Sequence, residues 1–127
     1  MYQTLNLFQI SGAMAQHAGT RQAIVARNVA NADTPGFKAM EMASFRDIYR
    51  DSRVGAMRAT RPLHFGAENA RMSATATPSR AEPAPNGNTV SIEDEMLASV
   101  DISREHSRAL AIYRHGMTVL QAVTGRR

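Results

Sequence analysis

The chain changes character at Asn28-Val29-Ala30-Asn31-Ala32-Asp33-Thr34-Pro35-Gly36-Phe37, where a long helical pattern stops and short irregular segments begin. Asparagines near a helix end tolerate the locally hydrogen-bonded backbone that terminates the helix. Thr34 precedes a proline, which disfavours the α region for Thr34. Pro35 and Gly36 suit the two central positions of a type II turn, because glycine readily takes the positive φ of the second. The stretch therefore predicts a helix end, a sharp turn and extended chain from Phe37.

Upstream of this turn the chain reads as one helix from about Leu5 to Ala32, because it contains no proline or turn cluster. Apolar and small positions recur in steps of three, four and four, which indicates an eleven-residue period and a nearly straight or weakly right-handed pairing. A heptad frame would put His17, Arg21 and Asn28 in the seam, which fits less well. So narrow a stripe needs tertiary packing, either in a small bundle or against copies of itself. The stripe consists of Leu7, Ile10, Met14, Ala18, Arg21, Val25, Val29 and Ala32.

A second long helix begins near Ser91 and continues to about Val123. Ser91 can cap its first turn, and the acidic residues that follow favour the positive end of the helix dipole. Its apolar and small positions alternate in steps of four and three. They are Ile92, Met96, Ser99, Ser103, His106, Leu110, Tyr113, Met117 and Leu120.

The two ends of the chain therefore predict a mainly α fold. The long N- and C-terminal helices are expected to pack as an antiparallel coiled-coil-like pair, joined by an irregular middle of loops and short extended pieces. We divide the chain into an N-terminal helix at 1–33, a middle segment at 34–90 and a C-terminal helix at 91–127.

The middle segment alternates short structured and unstructured patterns. Residues 37–42 suit an extended piece, and Ser44 with Asp47 suits the start of a short helix through Tyr49. Residues 61–66 read as a turn followed by a short buried tether. Residues 74–88 are rich in Pro, Ala, Ser and Thr and lack bulky apolar side chains, so we expect them to order only against a partner.

Composition favours close helix packing over a thick core. Of the 127 residues, 43% are hydrophobic, with no Trp and only 4 Phe and 3 Tyr. The 15 basic and 11 acidic residues are interspersed, and Arg104, Arg108 and Arg114 do not form one basic stripe. A helix-turn-helix requires two short helices and a basic recognition face, so no nucleic-acid partner is predicted.

Catalytic and metal-binding patterns are missing from the sequence. The absence of cysteine excludes disulfides, thiol catalysis and cysteine-based metal sites. The histidines lack metal-ligand spacing, and for His17 and His106 we expect packed, hydrogen-bonded rings. Residues 93–95 are consecutive acids that a helix N-terminus explains better than acid–base catalysis. We therefore predict no catalytic residue, no cofactor and no metal, and the protein is not expected to be an enzyme.

Membrane and targeting patterns are also missing. No apolar run approaches the ~20 residues that span a bilayer, so no transmembrane segment is predicted. Residues 1–5 lack a charged region and a small-residue cleavage site, so we expect no cleaved secretory signal.

The turn at 28–37 resembles the N-terminal motif of the flagellar axial proteins, which build rod, hook and hook-associated segments. Residues 86–90 with the following acidic helix start resemble the beginning of the family's C-terminal helix, and residues 60–65 resemble its mid-chain tether. The short chain without a large inserted domain is most similar to the proximal rod members. The residues of the family turn motif are Asn28, Asn31, Thr34, Pro35, Gly36 and Phe37.

This resemblance implies a structural subunit of the bacterial flagellar basal-body rod, located in the periplasm. It implies helical assembly through the terminal helices, around the export channel, to transmit torque. The implied partners are copies of itself, other rod proteins, the junction protein between rod and MS ring, and the flagellar type III export apparatus. The residues expected to pack between subunits are Leu7, Ile10, Met14, Val25, Met96, Leu110, Tyr113, Met117 and Leu120.

Two other functions remain open at this point. The acidic helix start and the amphipathic C-terminal helix would also suit a small helical adaptor or secretion chaperone. The basic surplus, a formal +4, leaves a nucleic-acid binder as the third and weakest alternative.

Overall fold

The computed structural model describes residues 2–53 and 75–125, with side chains described for 6–51 and 75–125. The elements in chain order are α1 (Tyr2–Ala30), β1 (Met40–Glu41), α2 (Phe45–Arg53), β2 (Thr77–Pro78) and α3 (Ile92–Thr124). The long helices α1 and α3 pack on each other and form the body of the molecule. The predicted mainly α fold is therefore confirmed.

Side-chain contacts show that α1 and α3 run in opposite directions. The N-terminal part of α1 meets the C-terminal part of α3, and the end of α1 meets the start of α3. Three pairs mark this order: Phe8 with Tyr113, Arg21 with Glu105, and Asn28 with Glu95.

The seam between the two helices is built at heptad spacing, and most of its residues are small. Ser11, Ala18 and Val25 are buried on α1, and Ile102, Ala109 and Gly116 are buried on α3. Residues seven apart return to the same side of a helix pair, so both helices follow a heptad seam. The eleven-residue period predicted for α1 is therefore wrong.

Pairing with acidic residues of α3 explains how Arg21 and Asn28 can lie in a heptad seam. Arg21 and Asn28 would be poor seam residues without partners, because burying an unpaired polar group is costly. The Arg21 guanidinium lies 3.0 Å from the Glu105 carboxylate, and Asn28 Nδ2 donates to Glu95 Oε1 at 2.7 Å. Arg21 and Asn28 thus each meet an acid supplied by α3, which only the paired structure reveals.

Apart from Ile102, most large apolar residues of α3 lie beside the seam and not within it. The predicted stripe is displaced by one residue from the buried series, which rotates it by about 100° around the helix. Met96 is 64% exposed and Leu110 37%. The seam selects small side chains that allow α1 to approach closely, whereas the prediction followed the large ones. His106, predicted to be packed, is also exposed.

The predicted start of α3 at Ser91 is confirmed, and the helix ends close to the expected Val123. Ser91 Oγ accepts a hydrogen bond from the Asp94 amide at 3.3 Å, and acidic residues occupy the first turn. The helix ends at Gly125, whose φ of +66° is the left-handed conformation common after helices.

The middle segment is more ordered within its own chain than predicted. β1 and β2 pair antiparallel, with Met40 opposite Pro78 and Glu41 opposite Thr77. Backbone and amide hydrogen bonds also fasten the chain before α3 to the end of α1. The expectation that 74–88 orders only against a partner is therefore wrong for its described part, 75–88. Hydrogen bonds hold this segment against the end of α1, although it lacks bulky apolar side chains.

The short helix α2 begins as predicted and extends further. Ser44 Oγ donates to Asp47 Oδ2 at 2.6 Å, and the Asp47 amide donates back to Ser44 Oγ at 3.3 Å. This reciprocal cap confirms the predicted start. The helix continues to Arg53, past the expected end at Tyr49. The predicted tether at 61–66 lies outside the described residues.

Candidate functional site

The predicted turn after α1 is present in the structure. The Phe37 amide donates to the Thr34 carbonyl at 3.3 Å, closing a four-residue turn with Pro35 and Gly36 at its centre. Gly36 has a φ of +72°. This combination is a type II turn, in which a side chain at the glycine position would be strained. The prediction for Pro35 and Gly36 is confirmed.

Asn28 connects three elements at this turn. Its side chain is fully buried, at 0% exposure. Nδ2 donates to the Met40 carbonyl at 2.8 Å and to Glu95 Oε1 at 2.7 Å, while Oδ1 accepts from the Met40 amide at 3.1 Å. All of the amide's strong hydrogen-bonding directions but one are used. Asn28 therefore holds the end of α1, β1 and the start of α3 together.

Asn88 fixes the turn from the other side. Its Nδ2 donates toward three carbonyl oxygens that follow α1, those of Asn31 at 2.9 Å, Ala32 at 2.7 Å and Thr34 at 2.9 Å. Its Oδ1 accepts from the Val90 amide at 2.7 Å, immediately before α3. The carbonyls left unpaired by the end of a helix need such donors. Asn88 supplies them from a residue far along the chain.

Further hydrogen bonds run between the turn and the segment before α3. The Gly36 amide donates to the Asn86 carbonyl at 3.0 Å, and the Thr89 amide donates to the Phe37 carbonyl at 3.1 Å. Thr89 Oγ1 accepts from the Ala39 amide at 2.8 Å. Residues 28–40 and 86–95 thus form one hydrogen-bonded unit, which we call the corner.

The other motif residues have local roles in the corner. Asn31 Nδ2 donates to the Arg27 carbonyl at 2.8 Å, and Thr34 Oγ1 donates to Asn31 Oδ1 at 3.3 Å. Pro35 is exposed and Phe37 half-buried. The structure therefore brings all six predicted motif residues together. The sequence prediction missed Asn88 and Glu95 as their partners, although residues 86–90 were part of the family resemblance.

Two titratable side chains have shifted pKa values. Burial raises the pKa of Glu95, and the neighbouring carboxylates of Asp94 and Glu41 raise it further against the opposing hydrogen bond from Asn28. Burial lowers the pKa of His17, as does the charge of Arg21, against smaller opposing effects of Glu105 and the Ala43 backbone. Glu95 is part of the corner, whereas His17 packs against α2.

His17 lies between α1 and α2 as a packed aromatic ring. Its centroid is 5.7 Å from that of Phe45 with the rings at 61°. Neither ring nitrogen has a hydrogen-bond partner among the described residues. The packed environment predicted for His17 is confirmed.

The residues predicted to pack between subunits divide into two groups by their exposure. Val25 is buried within the chain, and Leu7, Ile10 and Met14 are half-buried along α1. The residues on α3 face solvent in the single chain, although Tyr113 also contacts the Phe8 ring edge-on at 5.1 Å. Ile92, which was not in the predicted set, is exposed on the same side of the helix. We call the combined group the outer face of α3: Ile92, Met96, Leu110, Tyr113, Met117 and Leu120.

The described part of the chain contains no group of His, Asp and Glu side chains suited to holding a metal ion. Within the same residues, none of the helices is long and apolar enough to cross a membrane. The distinguishing features are thus the corner and the outer face of α3, and both are built for geometry and packing.

Comparisons with known proteins agree with the motif. Residues 7–38, which include most of α1 and the turn, match the family model described as "Flagella basal body rod protein". The flagellar basal body rod protein FlgB of Agrobacterium fabrum is 30% identical over 110 residues, covering 82% of this chain and 81% of that protein. FlgB of Cereibacter sphaeroides is 27% identical over 108 residues, covering 84% of each chain. The chain therefore belongs to the flagellar basal-body rod protein family, within which it is most like FlgB.

Proposed function

We propose that this rod protein is a non-catalytic subunit of the proximal rod, and that it assembles helically through its terminal helices around the export channel to transmit torque. One observation carries the proposal: the outer face of α3 presents large apolar side chains that its own chain leaves uncovered. Large exposed apolar side chains that cluster on one helix face mark an interaction site.

The difference in side-chain size between the two faces of α3 supports assembly through its outer face. The seam toward α1 is filled by small residues such as Ala109 and Gly116, which is enough to join the two helices of one copy. The larger side chains, including Met96 and Met117, are left for contacts with other chains. Contacts between two different surfaces generate a helical assembly when the rotation between copies does not close a ring.

The corner would set the direction in which the middle segment leaves the helix pair. Because Asn28 and Asn88 hold the turn, the chain after it runs back along α1, where α2 packs on His17. The middle segment, 34–90, would therefore face neighbouring subunits from the side of the pair, while 1–33 and 91–127 form the inner tube. The neighbours would be copies of this chain, other rod proteins and the junction protein at the MS ring. The subunit would reach the periplasm through the flagellar type III apparatus without a cleaved signal.

Truncation tests the proposal. A chain ending at Val119 lacks the last apolar residues of α3, namely Leu120 and Val123, but keeps the buried seam. In cells without the chromosomal copy, we expect it to be produced and to fail in rod assembly and swimming. A truncated chain that builds functional rods would overturn the proposal. If the full-length chain is found only as a soluble oligomer with exported proteins, the adaptor or chaperone alternative is correct.

A further inference from the structure

The turn that precedes Asn88 contains a chemically labile pair of residues. Asn86 is followed by Gly87, and no other asparagine in the sequence precedes a glycine. The backbone nitrogen after an asparagine can attack the carboxamide carbon Cγ of that asparagine and close a five-membered succinimide ring. A side chain on the attacking residue hinders this reaction, and glycine has none. In an open chain we therefore expect Asn86 to react faster than any other asparagine.

The folded chain holds these two residues in a tight turn. The Gly87 amide donates to the Ala84 carbonyl at 2.7 Å, which closes a four-residue turn with Pro85 and Asn86 at its centre. Among the described residues, only glycines have a positive φ, so φ is negative at both central positions. Such a hydrogen-bonded turn is of type I.

A type I turn opposes ring closure at Asn86. The third residue of this turn has a ψ of about 0°, so the Gly87 nitrogen eclipses the Asn86 nitrogen and points away from Cβ. Succinimide formation requires the Gly87 nitrogen to rotate toward Cβ, because Cβ and Cγ are both members of the ring. The attacking nitrogen must also lose its proton, which in the turn is shared with the Ala84 carbonyl. The turn therefore has to open before Asn86 can react.

Three further hydrogen bonds oppose this opening. The Asn88 amide donates to Asn86 Oδ1 at 3.0 Å, and the Ala84 amide donates to the Asn88 carbonyl at 2.8 Å. The Gly36 amide donates to the Asn86 carbonyl at 3.0 Å and ties the turn to the segment after α1. Asn86 itself is exposed, so water reaches its side chain. Its protection thus comes from the geometry of the corner and not from burial.

The reaction would alter the backbone on which the corner depends. Attack by the Gly87 nitrogen forms a bond to Asn86 Cγ and releases the side-chain nitrogen as ammonia. Water then opens the ring at either carbonyl and leaves aspartate or isoaspartate. In isoaspartate the backbone gains a methylene group, and the former main-chain carbonyl becomes a free carboxylate. Gly87 packs closely on Gly36, since an added Cβ would lie 3.5 Å from Gly36 Cα, so the longer backbone would not fit there.

We propose that Asn86 is a site of deamidation and isoaspartate formation that the folded corner suppresses, and that a chain carrying isoaspartate there no longer builds a stable corner. Opening of the turn permits the reaction, and the isoaspartate product in turn favours the open form. Chains that stay unfolded are thereby lost from the population that can fold, without the action of an enzyme.

Incubation of the full-length chain in mildly alkaline buffer, with and without guanidinium chloride, tests the site. Hydroxide promotes the reaction because it removes the proton of the attacking amide. Peptide mass spectrometry follows the deamidated fraction at each asparagine over time. Asn86 is expected to react fastest in denaturant and at least about tenfold more slowly in the folded chain, where only the open population reacts. Asn86→Ser, which keeps an oxygen acceptor for the Asn88 amide, is the control and should gain almost no deamidated product.

Equal rates at Asn86 with and without denaturant would overturn the protection, and a faster reaction at another asparagine would overturn the site. The effect on the corner is measured separately by urea titration of the purified isoaspartate form. Its midpoint is expected to lie below that of Asn86→Asp, which adds the same charge to an unaltered backbone. Equal midpoints would contradict the dependence of the corner on the main chain at Asn86.

Discussion

Replacing Asn28 with alanine tests the corner most sharply. The side chain makes three hydrogen bonds, two with the Met40 backbone and one with the Glu95 carboxylate, in a fully buried position. A neutral hydrogen bond contributes ~1 kcal/mol net, a bond to a charged group ~1.5–3 kcal/mol, and partners left unsatisfied add to the cost. We expect Asn28→Ala to lower the free energy of unfolding by about 3–5 kcal/mol. Small domains are stable by only ~5–15 kcal/mol, so this is a large fraction.

Asn31→Ala is the matched control. Asn31 belongs to the same motif, but its hydrogen bond to the Arg27 carbonyl is exposed and water can replace it. We expect a loss below about 1 kcal/mol. Urea titration followed by far-ultraviolet circular dichroism gives both values from the midpoint and the slope. If the two variants lost stability to within 1 kcal/mol of each other, Asn28 would not hold the corner together.

Three further predictions concern single positions. Gly116→Ala should destabilise the protein, because the added Cβ would lie 3.1 Å from the Phe8 ring. In the control Gly12→Ala the added Cβ meets nothing within 4 Å, so this variant should be more stable by up to ~1 kcal/mol. Equal shifts of the thermal midpoint in the two variants would refute close packing at Gly116. The folded-state pKa of Glu95 is raised, so the stability gained from protonated Glu95 is full below its ordinary pKa of 4.5 and is lost as pH rises through the folded-state pKa. In urea titrations across pH, Glu95→Gln should remove this dependence of the unfolding free energy on pH. An unchanged pH dependence in the variant would contradict the assignment. The folded-state pKa of His17 is lowered, so the stability gained from the neutral ring is full above pH 6.5 and is lost as pH falls through the folded-state pKa. His17→Leu should therefore lose less stability than the parent between pH 6.5 and 4.5. A variant as acid-sensitive as the parent would refute this prediction.

Local signals in the sequence predicted local structure well. Ser91 and Ser44 cap the helices that follow them, and Pro35 with Gly36 forms the expected turn. Each of these depends on residues within four positions of one another, so the chemistry is readable without the fold. The existence of two long helices also followed from the absence of breakers.

The contacts between distant parts of the chain were harder to predict. The seam uses small residues such as Ala18 and Ala109, which carry little hydrophobic signal. The prediction therefore placed the packing stripe of α3 on the larger apolar residues beside the seam. Asn88 looked like an ordinary turn residue because its partners lie more than 50 positions earlier. Nothing in local spacing indicates which carbonyls a distant amide will reach.

The outer face of α3 is the central element of the proposed assembly, and Met117→Asp tests it most directly. Met117 is 39% exposed and partly covered by its own chain, so the substitution is expected to lower the stability of the single chain by only about 1 kcal/mol. Ala111→Asp places the same charge at an exposed position away from this face and is the matched control. The measurement is the amount of each variant in basal bodies isolated from cells without the chromosomal copy, together with their swimming. We predict a folded Met117→Asp protein that is missing from rods and an Ala111→Asp protein that is incorporated. Normal incorporation and swimming with Met117→Asp would contradict assembly through this face.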